Sequence, residues 1–118
     1  MKTATVYGIK NCSTVKKALK WLSDHEIGYN FHDYKSAGIS EDRIKVWQKT
    51  FGWEPLVNRK GMTWRNLGKA QQDLITDATS ARELMIEKTS IIKRPIIEYG
   101  SQILVGFDEE AYNKTFKD

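Results

Sequence analysis

The chain has 118 residues, 40% hydrophobic and 29% charged, which predicts one soluble globular domain with a buried core. Its apolar runs span only a few residues, which excludes a membrane helix of about 20 apolar residues. The opening MKTATVYG lacks the apolar stretch of a signal peptide. One cysteine excludes an internal disulfide, so we expect a cytoplasmic protein.

The net charge of +4 comes from 19 Lys and Arg against 15 Asp and Glu. A basic balance favours anionic partners, which include small anions as well as nucleic acid. The lysines are scattered and form no long block of like charges. We therefore expect no direct binding to nucleic acid or to a membrane. We also expect the protein to be a monomer.

The first third of the chain predicts a β-α-β unit. Residues 4–8 (ATVYG) are typical of a short buried strand, and residues 29–34 (YNFHDY) alternate with the period of a second strand. Between them, apolar residues recur at helical spacing after Asn11, namely Val15, Ala18, Leu19 and Leu22. Such a unit favours two parallel strands.

The middle of the chain, about residues 38–90, predicts a helical insert. Ser40 is a candidate cap for a helix whose apolar stripe is Ile44, Trp47 and Phe51. Pro55 suits the first turn of a short helix, and glycines bracket another short segment at 62–67. Ser80 with Glu83 predicts a capping box. The four tryptophans are expected to pack this insert or to line a groove beside the cysteine loop, namely Trp21, Trp47, Trp53 and Trp64.

The end of the chain predicts a β-hairpin and a last helix. Two apolar runs, 95–99 and 103–106, flank the turn signal Gly100-Ser101, and a polar helix follows over 108–116. The two ends together predict an α/β fold with a four-stranded mixed sheet flanked by helices on both faces. We expect a single domain over 1–118, with its core at about 1–37 and 90–118 and its insert at about 38–90.

Cys12 lies at the predicted turn from the first strand into the first helix. The first N–H groups of a helix lack intrahelical partners, and the helix dipole adds positive charge. With Lys10 nearby, this setting favours a thiolate. The alternative is a small buried core residue, which the polar neighbours Asn11, Ser13 and Thr14 disfavour. Position alone leaves both interpretations open.

Several segments carry a family resemblance. They are YGIKNCSTVKKA at 7–18, LVNRKG at 56–61 with WRNLG at 64–68, IKRPII at 92–97, and LVGFD at 104–108. Together they resemble the arsenate reductase-like (ArsC/Spx) family, in particular its YffB-like single-cysteine branch. The resemblance extends over essentially the whole chain. It implies a thioredoxin-like fold with a helical insertion, in agreement with the predicted order of elements.

The resemblance also assigns site residues. It implies that Cys12 is the nucleophile, and that the Arg94-Pro95 bond is cis and faces the cysteine loop. In the arsenate reductases of this family, arginines beside the cysteine bind the oxyanion and stabilise the thiolate, and Arg59 and Arg94 match two of them. Guanidinium suits this role because it stays charged and binds oxyanions bidentately. The alternative for each is a surface arginine in a weak salt bridge.

Two departures from the family pattern disfavour arsenate reduction. Arsenate reductases carry a third arginine after the hairpin, but no arginine follows Arg94 here, and a His-Asn-Pro lead-in before the cysteine is replaced by YGIKN. Spx-type regulators bind RNA polymerase and sense oxidation through a Cys-x-x-Cys pair. Residues 12–15 read CSTV, so that switch cannot form. Binding to RNA polymerase is the less favoured alternative.

An oxidised Cys12 without a second cysteine must be resolved by an external thiol. We therefore predict a glutathione-dependent thiol-disulfide reductase that acts on a glutathionylated or oxidised substrate, with glutathione as co-substrate and no tightly bound cofactor. Beside the catalytic Cys12, Arg59 and Arg94, the expected substrate-binding residues are Lys10, Asn11, Ser13, Thr14, Arg65 and Pro95. His25 and His32 lack ligand spacing, so no metal site is expected.

Overall fold

The computed structural model describes residues 3–116 and divides into two compact units. The first, here called the sheet unit, comprises Met1–Tyr34 and Arg94–Asp118. The second, here called the helical unit, comprises Lys35–Lys93. That the two units make one domain, as expected from the sequence, stays a prediction.

The sheet unit contains a four-stranded mixed sheet, as predicted. Its strands are β1 (Ala4–Gly8), β2 (Tyr29–Asp33), β3 (Ile96–Tyr99) and β4 (Gln102–Val105), in the spatial order β2-β1-β3-β4. Strand β1 runs parallel to β2 and antiparallel to β3, and β3 and β4 form the expected antiparallel hairpin. Within residues 3–116, the helices that lie wholly in this unit are α1 (Ser13–Asp24) and α7 (Glu109–Phe116).

One face of the sheet packs against α1 and α7. Alternation along β1 directs Val6 to this face, where Ile97 is its cross-strand neighbour, and both side chains are fully buried. The expected apolar stripe of α1 covers them through Ala18 and Leu22, which are also buried. The expectation for Trp21 is wrong, because this side chain packs in the same core, edge-on to the ring of Tyr112 at 5.3 Å.

The second strand is one residue shorter than predicted. Strand β2 ends at Asp33, which pairs with Gly8, the last residue of β1. Tyr34 therefore has no residue of β1 opposite it, and it begins the short helix α2 (Tyr34–Ala37) instead. The alternating pattern extends past the point at which the neighbouring strand stops.

The helical unit consists of short helices and two 3-10 turns. Its elements are α3 (Glu41–Phe51), a 3-10 turn (Glu54–Leu56), α4 (Met62–Leu67), α5 (Lys69–Gln72), α6 (Ala78–Glu87) and a second 3-10 turn (Thr89–Ile91). Ser40 caps α3 as expected, since its hydroxyl accepts the backbone N–H of Arg43 at 3.2 Å. Pro55 lies in the first 3-10 turn, as expected. In the part of the chain that the structure describes, no helix has the length and hydropathy to cross a bilayer.

The predicted capping box at Ser80 and Glu83 is wrong by one turn. Asp77 is the N-cap of α6, where its carboxylate accepts the backbone N–H of Ser80 at 2.8 Å and the Ser80 hydroxyl accepts the N–H of Asp77 at 3.1 Å. Both Asp and Ser are favoured caps. Here the earlier residue takes the cap position, and Ser80 becomes the third residue of the helix.

Candidate active site

Cys12 lies at the N-cap of α1, as predicted. Strand β1 ends at Gly8, a four-residue connection follows, and the helix begins at Ser13. Cys12 keeps an extended backbone (φ −126°, ψ 122°), and its carbonyl accepts the first helical hydrogen bond from Lys16 at 3.0 Å. Its side chain is half-buried, which contradicts a core position and leaves the sulfur open to a reactant.

Gly8 allows β1 and α1 to approach closely at this connection. A Cβ atom placed on Gly8 would lie 2.8 Å from Cγ2 of Val15, well inside van der Waals contact. Val15 is fully buried in the first turn of α1. The absence of a side chain at position 8 therefore helps to fix the start of the helix, and with it Cys12, over the end of the strand.

Opposing effects act on the Cys12 thiol, and the ones that favour the thiolate prevail. Burial raises the pKa, but the backbone N–H of Val15, the Arg94 guanidinium and the N–H of Thr14 donate toward the sulfur, and the Arg94 charge adds to them. Together they hold the pKa of Cys12 below the ordinary thiol value of 9.0. Among the effects that lower the pKa of Cys12, the N–H of Val15 contributes most, and Arg94 adds a full positive charge.

Arg94 reaches Cys12 because of the segment that leads into β3. The Arg94-Pro95 bond is cis, as the resemblance implies. Pro95 is buried and its carbonyl accepts the N–H of Gly106 at 2.8 Å, while the next residue, Ile96, pairs with Tyr7 of β1. Arg94 therefore enters the site from the strand beside β1.

A polar group beside Arg94 is not evident from the sequence. The hydroxyl of Tyr7 donates a hydrogen bond to Oε1 of Glu98 at 3.0 Å, which joins β1 to β3. The Tyr34 side chain is buried nearby, and burial raises the pKa of its hydroxyl, an effect that the Arg94 charge opposes and that Tyr7 and Glu98 reinforce. Strand alternation, which places Tyr7 on the face opposite Val6, is the one sequence signal for this group.

The remaining predicted residues of the cysteine loop lie at the surface or contribute through the backbone. Lys10, Asn11 and Ser13 are exposed, whereas Thr14 is half-buried and contributes its backbone N–H to the sulfur. Substrate binding by the four side chains stays a prediction. Within the described range, no group of three or more His, Cys, Asp and Glu residues could hold a metal ion.

Arg59 and Arg65 belong to the helical unit. Arg65 is an exposed residue of α4. The guanidinium carbon of Arg59 lies 5.6 Å from the ring centroid of Trp53 and 5.8 Å from that of Trp64. Neither indole is recognisable from sequence spacing as a partner of this arginine. The catalytic role of Arg59 and the binding role of Arg65 stay predictions.

The fold and the site define a class of protein. A mixed sheet in the order β2-β1-β3-β4, a cysteine at the start of α1 and a cis-proline just before β3 are the thioredoxin-like arrangement. A glutaredoxin from Archaeoglobus fulgidus has the same fold, with a TM-score of 0.51 at 14% identity, over 100% of this chain and 89% of that one. The predicted thioredoxin-like fold is thus confirmed.

Within this class, the chain belongs to the ArsC family, whose model matches residues 7–115. A protein of Haemophilus influenzae is 46% identical over 112 residues, which are 95% of this chain and 97% of that protein. The solved structure of a YffB protein has a TM-score of 0.89 at 44% identity, over 94% of this chain and 96% of that chain. The predicted family and its YffB-like branch are therefore confirmed.

A regulator is also among the relatives. The global transcriptional regulator Spx 2 of Lactococcus lactis is 31% identical over 108 residues, which cover 90% of this chain and 80% of that protein. The relatives of this chain therefore include a protein named for transcriptional control. The chemistry at Cys12 has to decide whether this chain is a thiol-dependent enzyme or a regulator.

Proposed function

We propose that the protein is a glutathione-dependent thiol-disulfide reductase in which Cys12 is the nucleophile. One observation carries this proposal. The only sulfur of a cysteine in the chain is accessible at a helix N-cap, and Arg94 together with two backbone amides lowers its pKa. A thiolate with a pKa near the ambient pH combines a large ionised fraction with good nucleophilicity.

The cycle has two exchange steps. The Cys12 thiolate attacks the glutathione sulfur of a glutathionylated substrate, which forms an enzyme-glutathione disulfide and releases the substrate as a thiolate. A second glutathione thiolate attacks the glutathione sulfur of this mixed disulfide, so that oxidised glutathione leaves and the Cys12 thiolate returns. In the net reaction one free glutathione thiol is consumed: its sulfur joins the glutathione that the substrate carried to give oxidised glutathione, and the substrate sulfur is reduced to a thiol.

Arg94 acts in both steps because the same sulfur attacks first and leaves second. Its guanidinium stabilises the Cys12 thiolate before attack and again when that thiolate is the leaving group. Glutathione carries two carboxylates, which match the positive side chains among the predicted catalytic and substrate-binding residues, namely Lys10, Arg59, Arg65 and Arg94. The cycle requires reduced glutathione, which is abundant in the cytoplasm, and we therefore place the protein there.

The proposal is tested by mass spectrometry of the intact protein. Incubation with oxidised glutathione should add the mass of one glutathione to the wild-type chain, and reduced glutathione should remove it. The Cys12→Ser variant should form no adduct. A wild-type protein that forms no adduct near pH 7, or an adduct that reduced glutathione leaves in place, would overturn the proposal.

Turnover is measured with a glutathionylated peptide. The release of oxidised glutathione should depend on Cys12 and should fall in Arg94→Gln. Lys20→Gln is a matched control, since this lysine is an exposed cation on the same helix as the nucleophile and pairs with Asp24. Equal turnover by the Arg94 and Lys20 variants would contradict the role of Arg94.

Similarity to Spx 2 favours a second candidate, a regulator that binds RNA polymerase. The pair of cysteines of the Spx switch is absent from this sequence, so such binding would not be switched by an internal disulfide. Purified RNA polymerase passed over the immobilised protein tests it. Retention of the polymerase together with an unreactive Cys12 would favour the regulator over the reductase.

A further inference from the structure

Arg59 is held by a set of contacts within the helical unit. Its guanidinium lies over the rings of Trp53 and Trp64, both within cation–π range. Its Nη2 atom is 3.7 Å from Oε2 of Glu54. The side chain of Arg59 remains 46% exposed, so a ligand from solvent can reach it.

The backbone beneath Arg59 is anchored on both sides. The N–H of Asn58 donates to the carbonyl of Ile91 at 2.7 Å, and Val57 forms a β-bridge with Ile92. After Arg59, the side chain of Asn58 accepts the N–H of Lys60 at 3.2 Å. The backbone of Arg59 is therefore held in a hydrogen-bonded turn. The rings of Trp53 and Trp64 restrict the rotation of its side chain.

Gly61 completes this turn. A Cβ atom at position 61 would lie 2.9 Å from Nδ2 of Asn58, so a side chain there would displace the amide that organises the loop. Gly61 is also the N-cap of α4, the helix that carries Trp64, so the turn leads directly into this helix. This continuity keeps the Trp64 ring in place beside Arg59.

The contact with Glu54 is weak. The distance of 3.7 Å exceeds that of a hydrogen bond, and the Glu54 side chain is 67% exposed. The Glu54 carboxylate therefore interacts with Arg59 electrostatically and does not form a hydrogen bond with its N–H groups. A carboxylate from a ligand could replace it and form the two parallel hydrogen bonds that a guanidinium offers.

The surroundings are positively charged. Residues 53–65 contain a single acidic residue, Glu54, against three cations, namely Arg59, Lys60 and Arg65. Local charge therefore favours an anionic ligand once Glu54 is displaced.

We propose that Trp53 and Trp64 are positioning residues that hold Arg59 as a receptor for a carboxylate of glutathione, and that Glu54 occupies this receptor in the free protein. The choice of glutathione as ligand rests on the proposed function. The geometry lies wholly within the helical unit and does not depend on the reactivity of Cys12.

The test is calorimetric titration of the Cys12→Ser protein with S-methylglutathione, a probe that cannot form a disulfide. Trp53→Leu and Trp64→Leu should each weaken binding by roughly two- to fivefold, and the Phe variants should retain most of the affinity because an aromatic face remains. Arg59→Ala should weaken binding by roughly tenfold or more. Lys60→Ala, an adjacent exposed cation, should bind nearly as the parent protein does.

Substitution of Glu54 should change the affinity for S-methylglutathione in the opposite direction. Glu54→Gln should tighten binding by roughly two- to fivefold, because the competing charge is removed. Glu87→Gln makes the same charge change at an exposed position of α6 and should leave the affinity unchanged. The diethyl ester of S-methylglutathione, which lacks both carboxylates, should lose the affinity that depends on Arg59.

Either of two results would overturn the proposal. One is parent-like binding by both leucine variants, and the other is a Glu54→Gln protein that binds no tighter than Glu87→Gln. Absence of S-methylglutathione binding would overturn it as well. A failure of the proposed function is distinct, because it appears as the lack of a glutathione adduct on the wild-type Cys12.

Discussion

Arg94 donates a hydrogen bond toward the sulfur of Cys12 and places a positive charge beside it. The two residues come from opposite ends of the chain, and the pairing of β1 with β3 brings them together. Cys12 follows β1 and Arg94 precedes β3, so the two neighbouring strands position the nucleophile and the cation. The first prediction follows from this pair.

Arg94→Gln should raise the pKa of Cys12, because it removes both a donor and a charge that favour the thiolate. We expect alkylation by iodoacetamide at pH 7 to slow by roughly fivefold, a modest effect because the sulfur is half-exposed. The pH dependence of the alkylation rate provides the measurement. Lys20→Gln should not change the pH dependence of alkylation. An unchanged pH dependence in Arg94→Gln would show that Arg94 does not lower the pKa of Cys12.

The lowered pKa of Cys12 also links stability to pH. Between the folded-state pKa and the ordinary value of 9.0, the unfolded chain binds more protons, so the free energy of unfolding rises with pH. The contribution is fully present above the unfolded pKa and is lost as pH falls through the folded pKa. Cys12→Ser abolishes it.

Urea denaturation at a series of pH values measures this linkage. The stability advantage of the wild type over Cys12→Ser should grow as the pH rises toward the ordinary thiol value of 9.0. Cys12→Ala should give the same slope, since it also lacks the titrating sulfur. A pH-independent difference would show that the thiol has the same pKa in both states.

Gly8→Ala should destabilise the protein by about 1–3 kcal/mol, because the new methyl group would overlap Val15 in the first turn of α1. Gly28→Ala is the matched control, since a Cβ atom there meets nothing within 4 Å. Denaturation curves give both values. In Gly8→Ala/Val15→Ala the two costs should not add, because the larger side chain that causes the overlap is gone.

Two buried tyrosines predict contrasting effects of losing a hydroxyl. The Tyr112 hydroxyl donates to the carbonyl of Gly106 at 2.6 Å, so Tyr112→Phe should cost about 1 kcal/mol. The buried Tyr34 hydroxyl has no hydrogen-bond partner within residues 3–116, so Tyr34→Phe should cost less than Tyr112→Phe. Thermal unfolding of the two variants compares them directly, and the reverse order would refute the expectation.

The fold is predictable from the sequence wherever a local pattern has one interpretation. The stripe of Val15, Ala18 and Leu22 permits only a helix with one buried face, and Ser40 followed by acidic residues permits only one cap. The cysteine at the turn between β1 and α1 follows from the same local logic. The cis bond before Pro95 came from the family resemblance, because few X–Pro bonds are cis.

Prediction fails where two residues compete or where partners are distant. Asp77 and Ser80 are both good caps, and the sequence does not rank them. Tyr34 continues the alternating pattern of β2, but whether it belongs to the strand depends on where β1 ends. The contacts of Arg59 with Trp53 and Trp64 depend on how a turn and a helix are oriented, which spacing alone does not specify.

Strand β1 lies between β2 and β3, so neighbours hydrogen-bond to it along both edges, whereas β2 and β4 are the outer strands. Amide protons of such an interior strand exchange with solvent only when the sheet opens as a whole. The connection that carries the sulfur thus departs from an interior strand of the sheet. Fraying or insertions at the outer strands can reshape the periphery and leave the nucleophile in its position.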